Sequence, residues 1–592
     1  MKIKYLDGRR IYFAFLAGGQ AILKDFAYLN KINVFPVPDG DTGTNLASTM
    51  KAIAEQARPH QSIKESLQSI ADAALSGARG NSGLIFAQFI YGLSRELGSE
   101  IRVSTARFGE SVRNAVRYAY NSIAHPQEGT MLTLIREWAE EVYRNRHRFS
   151  DYHDLLMHSL EKARQTLQET PKKLAVLKKA GVVDAGAKGF VDFIEGVVNF
   201  IRRGSLKNVI SEDLLQLEFQ EKPHKIREEI THRYCTEALL TGDNLDLEKI
   251  KQVVTAAGDS AIVGGSEKKA RFHVHTNQPD ELFYALRELA TIQQPKAEDM
   301  KLQASIALKP RSQVAVVVDS ACDLPPEILE DQQVVVIPFS FNIGQSVFLD
   351  KLTISPEKLY GLMEKEEILP RSSVPPAKTV ENWLSYLSSH FDSILILTIS
   401  SGLSGYYNLV RTAAEKFPDQ KIKIIDSKNI SGAYGLIVKR LLQEREKGKD
   451  LDQLAQLAED LVRKTEILVD IRTLKYMVKG GRVSAAKGLL AKILNLKPII
   501  TLDANGKAVA AGKAFSRQQS FRKILKMIKE KHRQQPIHSF AVVHVKCPER
   551  AEAYARQIEK ICGKSVSFIS DVAPVVGVHN GPGAVGICLS YE

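Results

Sequence analysis

Two hydrophobic rhythms divide this chain, and no single core can satisfy both. From residue 12 to 201 apolar side chains recur at three- and four-residue spacing, as in helices that bury one face. Beyond Gln313 the rhythm changes to short unbroken runs of valine, isoleucine and leucine that end on a polar residue, as in buried parallel strands. A chain of 592 residues is too long for one core, so several domains are expected.

The first rhythm places helices at Phe13–Leu29, Thr44–Ala57, Ser62–Leu75, Ser82–Leu93, Thr105–Ile123, Thr130–Tyr143, Tyr152–Thr170 and Ala187–Ile201. Residues 202–227 are polar, charged and weakly periodic, and read as a linker. Next comes a strand at His232–Leu239, a helix at Leu245–Ala257, strands at Ser260–Gly264 and Ala270–His275, and a helix at Pro279–Ala290. With a final strand this order makes a split βαβ sandwich. Further on, Val314–Val318, Val334–Pro338, Ile394–Ile399 and Ile422–Ile425 predict a doubly wound sheet with ligands at its carboxyl ends. Pro498–Leu502, the turn DANG and Lys507–Ala511 predict a hairpin within a second lobe. The expected domains are 1–201, a linker at 202–227, a middle module at 228–305 and a rear domain at 306–592.

Composition narrows the class. Apolar residues make up 44% and charged residues 25%, a globular balance. The N-terminal MKIKYLDGRR lacks the apolar stretch of a signal peptide, and no apolar run is long enough to span a bilayer. Five scattered cysteines with no CxxC pair argue against a disulfide framework or a cysteine zinc site, so a cytoplasmic protein is expected. The net charge of +13 has no zinc finger, RNP-like strand or basic zipper behind it, so no nucleic-acid partner is expected. An anionic membrane face touched peripherally, or anionic metabolites, fit the charge better.

Four glycine-rich polar breaks interrupt the helical region. PVPDGDTGTN sets Asp39 and Asp41 two residues apart, and carboxylates that close repel unless a cation lies between them. Hard oxygen ligands suit Mg²⁺, which shares its sphere with substrate phosphates. Thr44 and Asn45 open the next helix, where free N–H groups favour phosphate; an Asp-Gly turn capping that helix is the structural alternative. GARGNSG places Gly80, Asn81, Ser82 and Gly83 at a second helix start, a phosphate cradle without the GK[ST] of a Walker A loop. GTMLTL offers Thr130 and Met131, the latter either against an adenine ring or in the core. VVDAGAKG offers Asp184 and Gly186, with an N-cap as the alternative role for Asp184.

Together these strings resemble the nucleotide-binding domain shared by dihydroxyacetone kinases and bacterial fatty acid kinases, over roughly residues 10–201. The resemblance implies an all-α eight-helix bundle with ATP held at one end through two Mg²⁺ ions. It implies metal ligands at Asp39 and Asp41, with Asn33 at the third position, where a carboxylate is missing. Ser82 matches a phosphate-contacting serine, and Thr44, Asn45, Thr130, Met131 and Asp184 fall on nucleotide-pocket positions. PVPDGDTGTN is the fatty acid kinase form and argues against a triose substrate.

In the middle module RFHVHTN sets His273 and His275 two apart, on one face of a strand. Metal ligation, phosphate donation, proton handling and a merely polar sheet face all fit that spacing, and a third metal ligand is not evident. Fatty acid kinases carry similar histidines in the corresponding domain, which implies a role in activity. Cys235, in RYCTE, matches another recurrent position and is expected to be a buried structural thiol.

In the rear domain VVDSACDLP, PRSSVPP, ISSGLSGYY and GVHNGPGAVG put serine and glycine where strands end, which suits donors gripping a small anion. KGGRVS adds the charge of Arg482. A nucleotide or sugar site would use the same loops. The set resembles the DegV family of fatty-acid-binding proteins over residues 313–592. That resemblance implies carboxylate ligands at Ser372 or Ser373 and at Ser401 or Ser404, with His579 closing the site and Arg482 steering the phosphate or holding its loop. Pro375 and Pro376 depart from the family's Pro-Ser. It also implies a homodimer, a long-chain fatty acid as partner and an acyltransferase downstream. The expected function is ATP-dependent phosphorylation of a long-chain fatty acid to acyl phosphate, kinase and carrier in one chain. The alternatives are a non-catalytic fatty-acid-binding regulator and a kinase of a small hydroxylated metabolite.

Overall fold

The computed structural model describes residues 3–35, 40–98, 100–203, 230–365, 370–480 and 497–592. They form two compact units, Met1–Gln278 with Ala285–Lys301, and Pro279–Tyr284 with Leu302–Glu592. From residue 204 the expected linker lies outside the described residues.

The first unit opens with helices α1 (Gly8–Lys31), α2 (Thr42–Gln56), α3 (Ile63–Gly77), α4 (Gly80–Glu96), α5 (Thr105–Asn121), α6 (Met131–Asn145), α7 (Tyr152–Lys173), α8 (Ala175–Ala180) and α9 (Ala185–Arg203). Eight of these match the helices read from periodicity. The addition is α8, a short turn of helix after α7 whose end is closed by Gly181 in the left-handed conformation. Caps explain where several helices start. The Asp7 carboxylate accepts the Arg10 N–H at 2.9 Å, which starts α1 five residues ahead of its apolar stripe. Asp151 accepts from both His153 N–H and Ile3 N–H, tying the chain start to α7. At the centre Phe86, Phe89, Trp138, Phe190 and Phe193 meet edge to face, with Trp138 and Phe190 centroids 5.4 Å apart.

Two short strands, β1 (Tyr5–Leu6) and β2 (Val103–Ser104), pair beside the bundle. The middle sheet of the same unit comprises β3 (Tyr234–Thr241), β4 (Gly258–Gly265), β5 (Lys269–Thr276) and β6 (Thr291–Asp299), with helix Leu247–Ala256 between β3 and β4; the helix Pro279–Leu286 follows β5 in the chain, and its first six residues belong to the other unit. Its spatial order is β4-β5-β3-β6, antiparallel throughout, which is the split βαβ arrangement expected. The sheet docks on the bundle. Ile262 packs into the helical core, and Val263 N–H donates to Ser122 O at 2.9 Å.

In the second unit β7 (Val314–Asp319), β8 (Val335–Ile337), β9 (Ser340–Ile343), β10 (Ser346–Leu349), β11 (Arg371–Ser373), β12 (Ser393–Thr398) and β13 (Lys421–Asp426) build the first lobe. The order β13-β12-β7-β8 is parallel, and every residue of β7 and β12 is buried. Chain order reverses between β7 and β12, so a crevice opens beyond Asp319 and Thr398. The second lobe is a six-stranded mixed sheet of β14 (Thr465–Asp470), β15 (Lys497–Leu502), β16 (Ala508–Ala514), β17 (Ile537–His544), β18 (Ile569–Asp571) and β19 (Val585–Tyr591), ordered β16-β15-β14-β19-β17-β18. The expected hairpin is β15–β16.

Phe190→Ala leaves a cavity in the aromatic centre and should destabilise the first unit by about 3–5 kcal/mol. Trp138 fluorescence in a denaturant titration reports that transition, while the transition followed at Trp383, in the second unit, should not move. A loss of less than about 1 kcal/mol would mean the rings do not carry the core.

Candidate functional site

Sheet register assembles the front site. Cys235 of β3 lies opposite His275 of β5, and Glu237 lies opposite His273. On the other side of β5, Asp259 of β4 is opposite His275. Residues directly opposed across antiparallel strands share a face, so Cys235, Glu237, Asp259, His273 and His275 come together. The same face of β5 meets the bundle: Lys269 Nζ donates to Ser76 Oγ at 2.7 Å and Arg271 to Ser76 O at 2.8 Å. Gly80 N–H, at the start of α4, donates to Glu237 Oε1 at 2.8 Å.

Each histidine is backed by a carboxylate. His273 Nδ1 lies 3.0 Å from Glu237 Oε1 and 3.8 Å from Cys235 Sγ, while His275 Nδ1 lies 3.5 Å from Asp259 Oδ1. Burial would raise the Glu237 pKa, but the His273 bond and the charges of Lys296 and Arg271 hold it well below the usual carboxylate range. Burial lowers the His275 pKa despite its Asp259 partner, and raises that of the Cys235 thiol. Cys235, His273 and His275 each offer one donor atom, all within 4.8 Å of one another. Cys235 thus stands where a third donor beside the two histidines would be needed, and a sulfur with two imidazoles is a set that could take a borderline cation such as Zn²⁺.

The acidic loop is described from Gly40 onward; Asp39 lies outside the described residues. Asp41 occupies the N-cap position of α2 but makes no cap hydrogen bond, so its carboxylate is not committed to the helix start. The Thr42 hydroxyl donates to Asn33 Oδ1 and approaches Ser82 Oγ at 3.5 Å, which joins Asn33 to the α4 start. Carboxylate and amide oxygens are hard donors, the kind that fits Mg²⁺. Asn30 grips Thr44 on both sides: Thr44 N–H donates to its Oδ1 at 3.1 Å, and its Nδ2 donates to Thr44 Oγ1 at 2.9 Å. Asn45 is buried against the α4 start. Gly80 has φ +54°, and a Cβ there would lie 2.3 Å from Asn45 Nδ2, so this turn needs glycine. Asn81 and Ser82 follow half-buried, and Gly83 packs against Thr49.

The remaining front-loop residues are packed or hydrogen-bonded within the bundle. Met131 is only 2% exposed and belongs to the helical core. The Asp184 carboxylate accepts Ala187 N–H at 2.7 Å at the start of α9, and the Met131 and Gly186 N–H groups also engage it. Capping is therefore its observed role, and burial pushes its pKa up to about 6. Gly186 lies against Met131, and the Thr130 hydroxyl donates to Gln127 O at 2.8 Å. Glu237 and Asp259 were not singled out in the sequence. The available signal was period two in RYCTE: Glu237 shares a strand face with Cys235.

The rear unit contains a cavity of about 390 Å³ between its two lobes, within the range of small-molecule sites. Apolar side chains such as Ile399, Leu403, Ile467, Ile500 and Val543 dominate its wall, and Ser372, Ser373, Ser404, His579 and Asn580 are polar members. Ser372 Oγ lies 3.1 Å from His579 Nε2, and Ser373 Oγ lies 2.9 Å from Ser340 Oγ. Ser404 Oγ accepts Tyr406 N–H at 3.2 Å. Ser401 is not in the lining. Its N–H donates to Asp426 Oδ1 at 3.0 Å and its hydroxyl takes Lys428 Nζ, so of the two serines Ser404 is the one that faces the cavity. Gly480 packs directly on His579, where a Cβ would come within 2.1 Å of its Nδ1. Arg482 lies outside the described residues.

Buried carboxylates brace this cavity. Asp319, at the β7 end, accepts Ala321 N–H at 3.0 Å and Ile399 N–H at 2.6 Å, which ties the loops after β7 and β12 together. Asp350 accepts Val575 N–H at 3.1 Å, and Asp323 accepts Ala573 N–H and Lys351 Nζ, both at 2.9 Å. Both N–H groups flank the start of the short helix Pro574–Asn580, which carries His579. Burial pushes the Asp319 and Asp350 pKa values up to about 7.

Comparisons with known proteins match the chain in three consecutive parts. Residues 36–199 match the DAK2 domain, residues 231–306 the FakA-like middle domain of fatty acid kinase, and residues 313–592 the DegV family, described as an uncharacterised protein family. Two curated relatives, the uncharacterized proteins SAB1090 and SAR1202 of Staphylococcus aureus, are 31% identical over 312 residues, 51% of this chain and 57% of theirs. The chain thus spans little more than half the length of these relatives. Among solved structures, DegV of Bacillus subtilis, titled a fatty acid binding protein, aligns over 48% of this chain and 100% of its own with 23% identity and a TM-score of 0.44. A DegV family protein of Thermus thermophilus, titled for fatty acid binding, aligns over 47% and 99% with 25% identity and a TM-score of 0.44. Among the described residues no helix is long and apolar enough to cross a membrane.

Asp319 and Asp350 keep protons in the folded chain that they release, unfolded, above about pH 4. The folded state then binds more protons than the unfolded one. The second unit should therefore lose stability as pH rises from about 4 to about 7, with no further loss from these groups above that. Denaturant midpoints followed at Trp383 across this range test the sign, and a midpoint that is flat or rises contradicts it.

Proposed function

We propose that this chain, which joins a DAK2 domain, a FakA-like middle domain and a DegV-family domain, phosphorylates the carboxylate of a long-chain fatty acid with ATP. The reading rests above all on the rear cavity, an apolar chamber that holds a serine–histidine pair where a single acid headgroup can be bound. Burying a carboxylate without such donors is costly, and Ser372, Ser404 and His579 supply them.

The acid is already an anion at neutral pH, so no general base is needed. One carboxylate oxygen forms a bond to the γ-phosphorus of ATP. The bond from that phosphorus to the β,γ-bridging oxygen breaks, and ADP leaves with the electron pair. Two tasks remain for the protein, positioning and charge neutralisation. Asp39, Asp41 and Asn33 would hold Mg²⁺, which supplies charge neutralisation across the phosphate oxygens when bound. Helix geometry leaves the N–H groups of the first α4 residues without intrahelical partners; Gly80 gives its own to Glu237, and those of Asn81 and Ser82 with the Ser82 hydroxyl receive phosphate. His273 and His275 stand at the same loop and stabilise the transferring group. Arg482 completes the acyl side. The acid must come within about 3–3.5 Å of the γ-phosphorus, so the acyl-bearing unit, of this chain or of a partner copy, has to be delivered to the nucleotide. The acyl phosphate is a reactive mixed anhydride, suited to consumption by an acyltransferase.

Trapping with hydroxylamine tests the reaction. With ATP, Mg²⁺ and oleate, the wild type should yield oleoyl hydroxamate, and Asp41→Asn should cut the rate by at least about 100-fold. Tight oleate binding without product would support the regulator instead. Product from a small hydroxylated acceptor but not from oleate would support the metabolite kinase. For the cavity, His579→Ala should weaken oleate binding by roughly 10-fold or more, read by titration without ATP. Unchanged affinity would remove the headgroup assignment.

A further inference from the structure

Glu237 is the most deeply committed charged group of the front site, and the nucleotide and metal roles above leave it unused. It is 2% exposed, on the inner face of β3. A single oxygen, Oε1, takes two donors from two substructures: Gly80 N–H of the bundle at 2.8 Å and His273 Nδ1 of the sheet at 3.0 Å. The other oxygen has no hydrogen-bond partner, and the Arg271 guanidinium stands 4.0 Å away.

Each bond has a consequence. Gly80 is the first residue of α4, and its backbone conformation leaves the turn little freedom. With Arg79 as cap, the first three N–H groups of α4 lack intrahelical acceptors, and Gly83 N–H is the first to close a turn, onto Arg79 O. Glu237 takes the Gly80 N–H and leaves those of Asn81 and Ser82. A carboxylate can only accept, so the His273 nitrogen beside it must carry the hydrogen. That leaves Nε2 as the nitrogen available for chemistry.

We propose that Glu237 is a positioning residue that locks the His273 imidazole, in one tautomer and one orientation, to the phosphate-receiving start of α4. Its place in catalysis rests on the fatty acid kinase reading; its structural content does not. A mere surface ion pair would not explain the geometry, because the two donors come from separate elements and both meet one buried oxygen.

Two readouts on the full chain separate these layers. In ¹⁵N-histidine-labelled protein without substrates, His273 should appear as the Nδ1–H tautomer in the wild type and in Glu237→Gln, whose amide oxygen still accepts, and as a tautomer mixture in Glu237→Ala. An Nε2–H tautomer in the wild type overturns the proposal, whether or not the chain phosphorylates fatty acids, and needs no variant to fold. In the hydroxamate assay Glu237→Ala should lower kcat by about 100-fold and Glu237→Gln by about 10-fold or less. The Glu237→Ala/His273→Ala double variant should be no worse than His273→Ala alone, because one residue acts through the other. Multiplying losses, or Glu237→Ala within about threefold of wild type, would overturn the positioning role. An inactive wild type with the expected tautomers would instead defeat the kinase reading and leave the lock in place.

Discussion

Burial of charge between the middle sheet and the bundle is the constraint on which the front half of the molecule depends. Strand β5 turns Lys269, Arg271, His273 and His275 toward helical loops that carry backbone donors and acceptors of their own. Charged groups withdrawn from water need fixed partners, and here those of Lys269, Arg271 and Glu237 lie in part across the sheet–bundle boundary. Arg271 and Lys269 hold the α3 end, and Glu237 holds the α4 start. The sheet therefore helps set the conformation of the α4 start, and the bundle helps set the orientation of His273 on the sheet.

The rear unit solves the opposite problem. Its cavity is apolar, and the free energy of filling it comes from removing hydrocarbon from water, about 25 cal/mol per Å². An apolar chamber has no directional preference, so orientation must come from a few polar groups. Ser372 and His579 are polar groups in its lining, and they are held from behind. Asp350 and Asp323 anchor the start of the helix bearing His579, Gly480 allows the backbone to lie against its ring, and Asp319 joins the two loops at the point where strand order reverses. These carboxylates do not line the cavity; they hold groups that do.

Much of this was legible beforehand, unevenly and for physical reasons. Helices α1 to α7 and α9 announced themselves because each must bury a stripe, and a stripe leaves a period. The strands of the parallel sheet were equally plain, since both faces are buried and the runs are unbroken. His273 and His275 sharing a face followed from strand geometry alone. Short-range pattern could not show which distant strand would lie beside them. The pairing of Cys235 with His275 and of Glu237 with His273 depends on register between segments well separated in the chain. Ser401 and Ser404 were equivalent in the sequence for the same reason: three residues apart in one loop, they are told apart only by Asp426 and Lys428, which arrive from β13 and its following turn.

Local chemistry, then, was set by the sequence itself: which segments coil, which extend, where glycine permits a tight turn, and which loops carry acids, hydroxyls or imidazoles. Those properties arise from neighbours along the chain and survive without the rest of the molecule. Tertiary structure decided the commitments. It used Asp184 as a cap and Met131 as core, left the Asp41 carboxylate clear of its helix, brought Cys235 to the histidines and placed Glu237 between a sheet and a helix start. A polar side chain's role depends on what else is buried within about 3 Å of it, and only the folded chain brings those partners from distant positions.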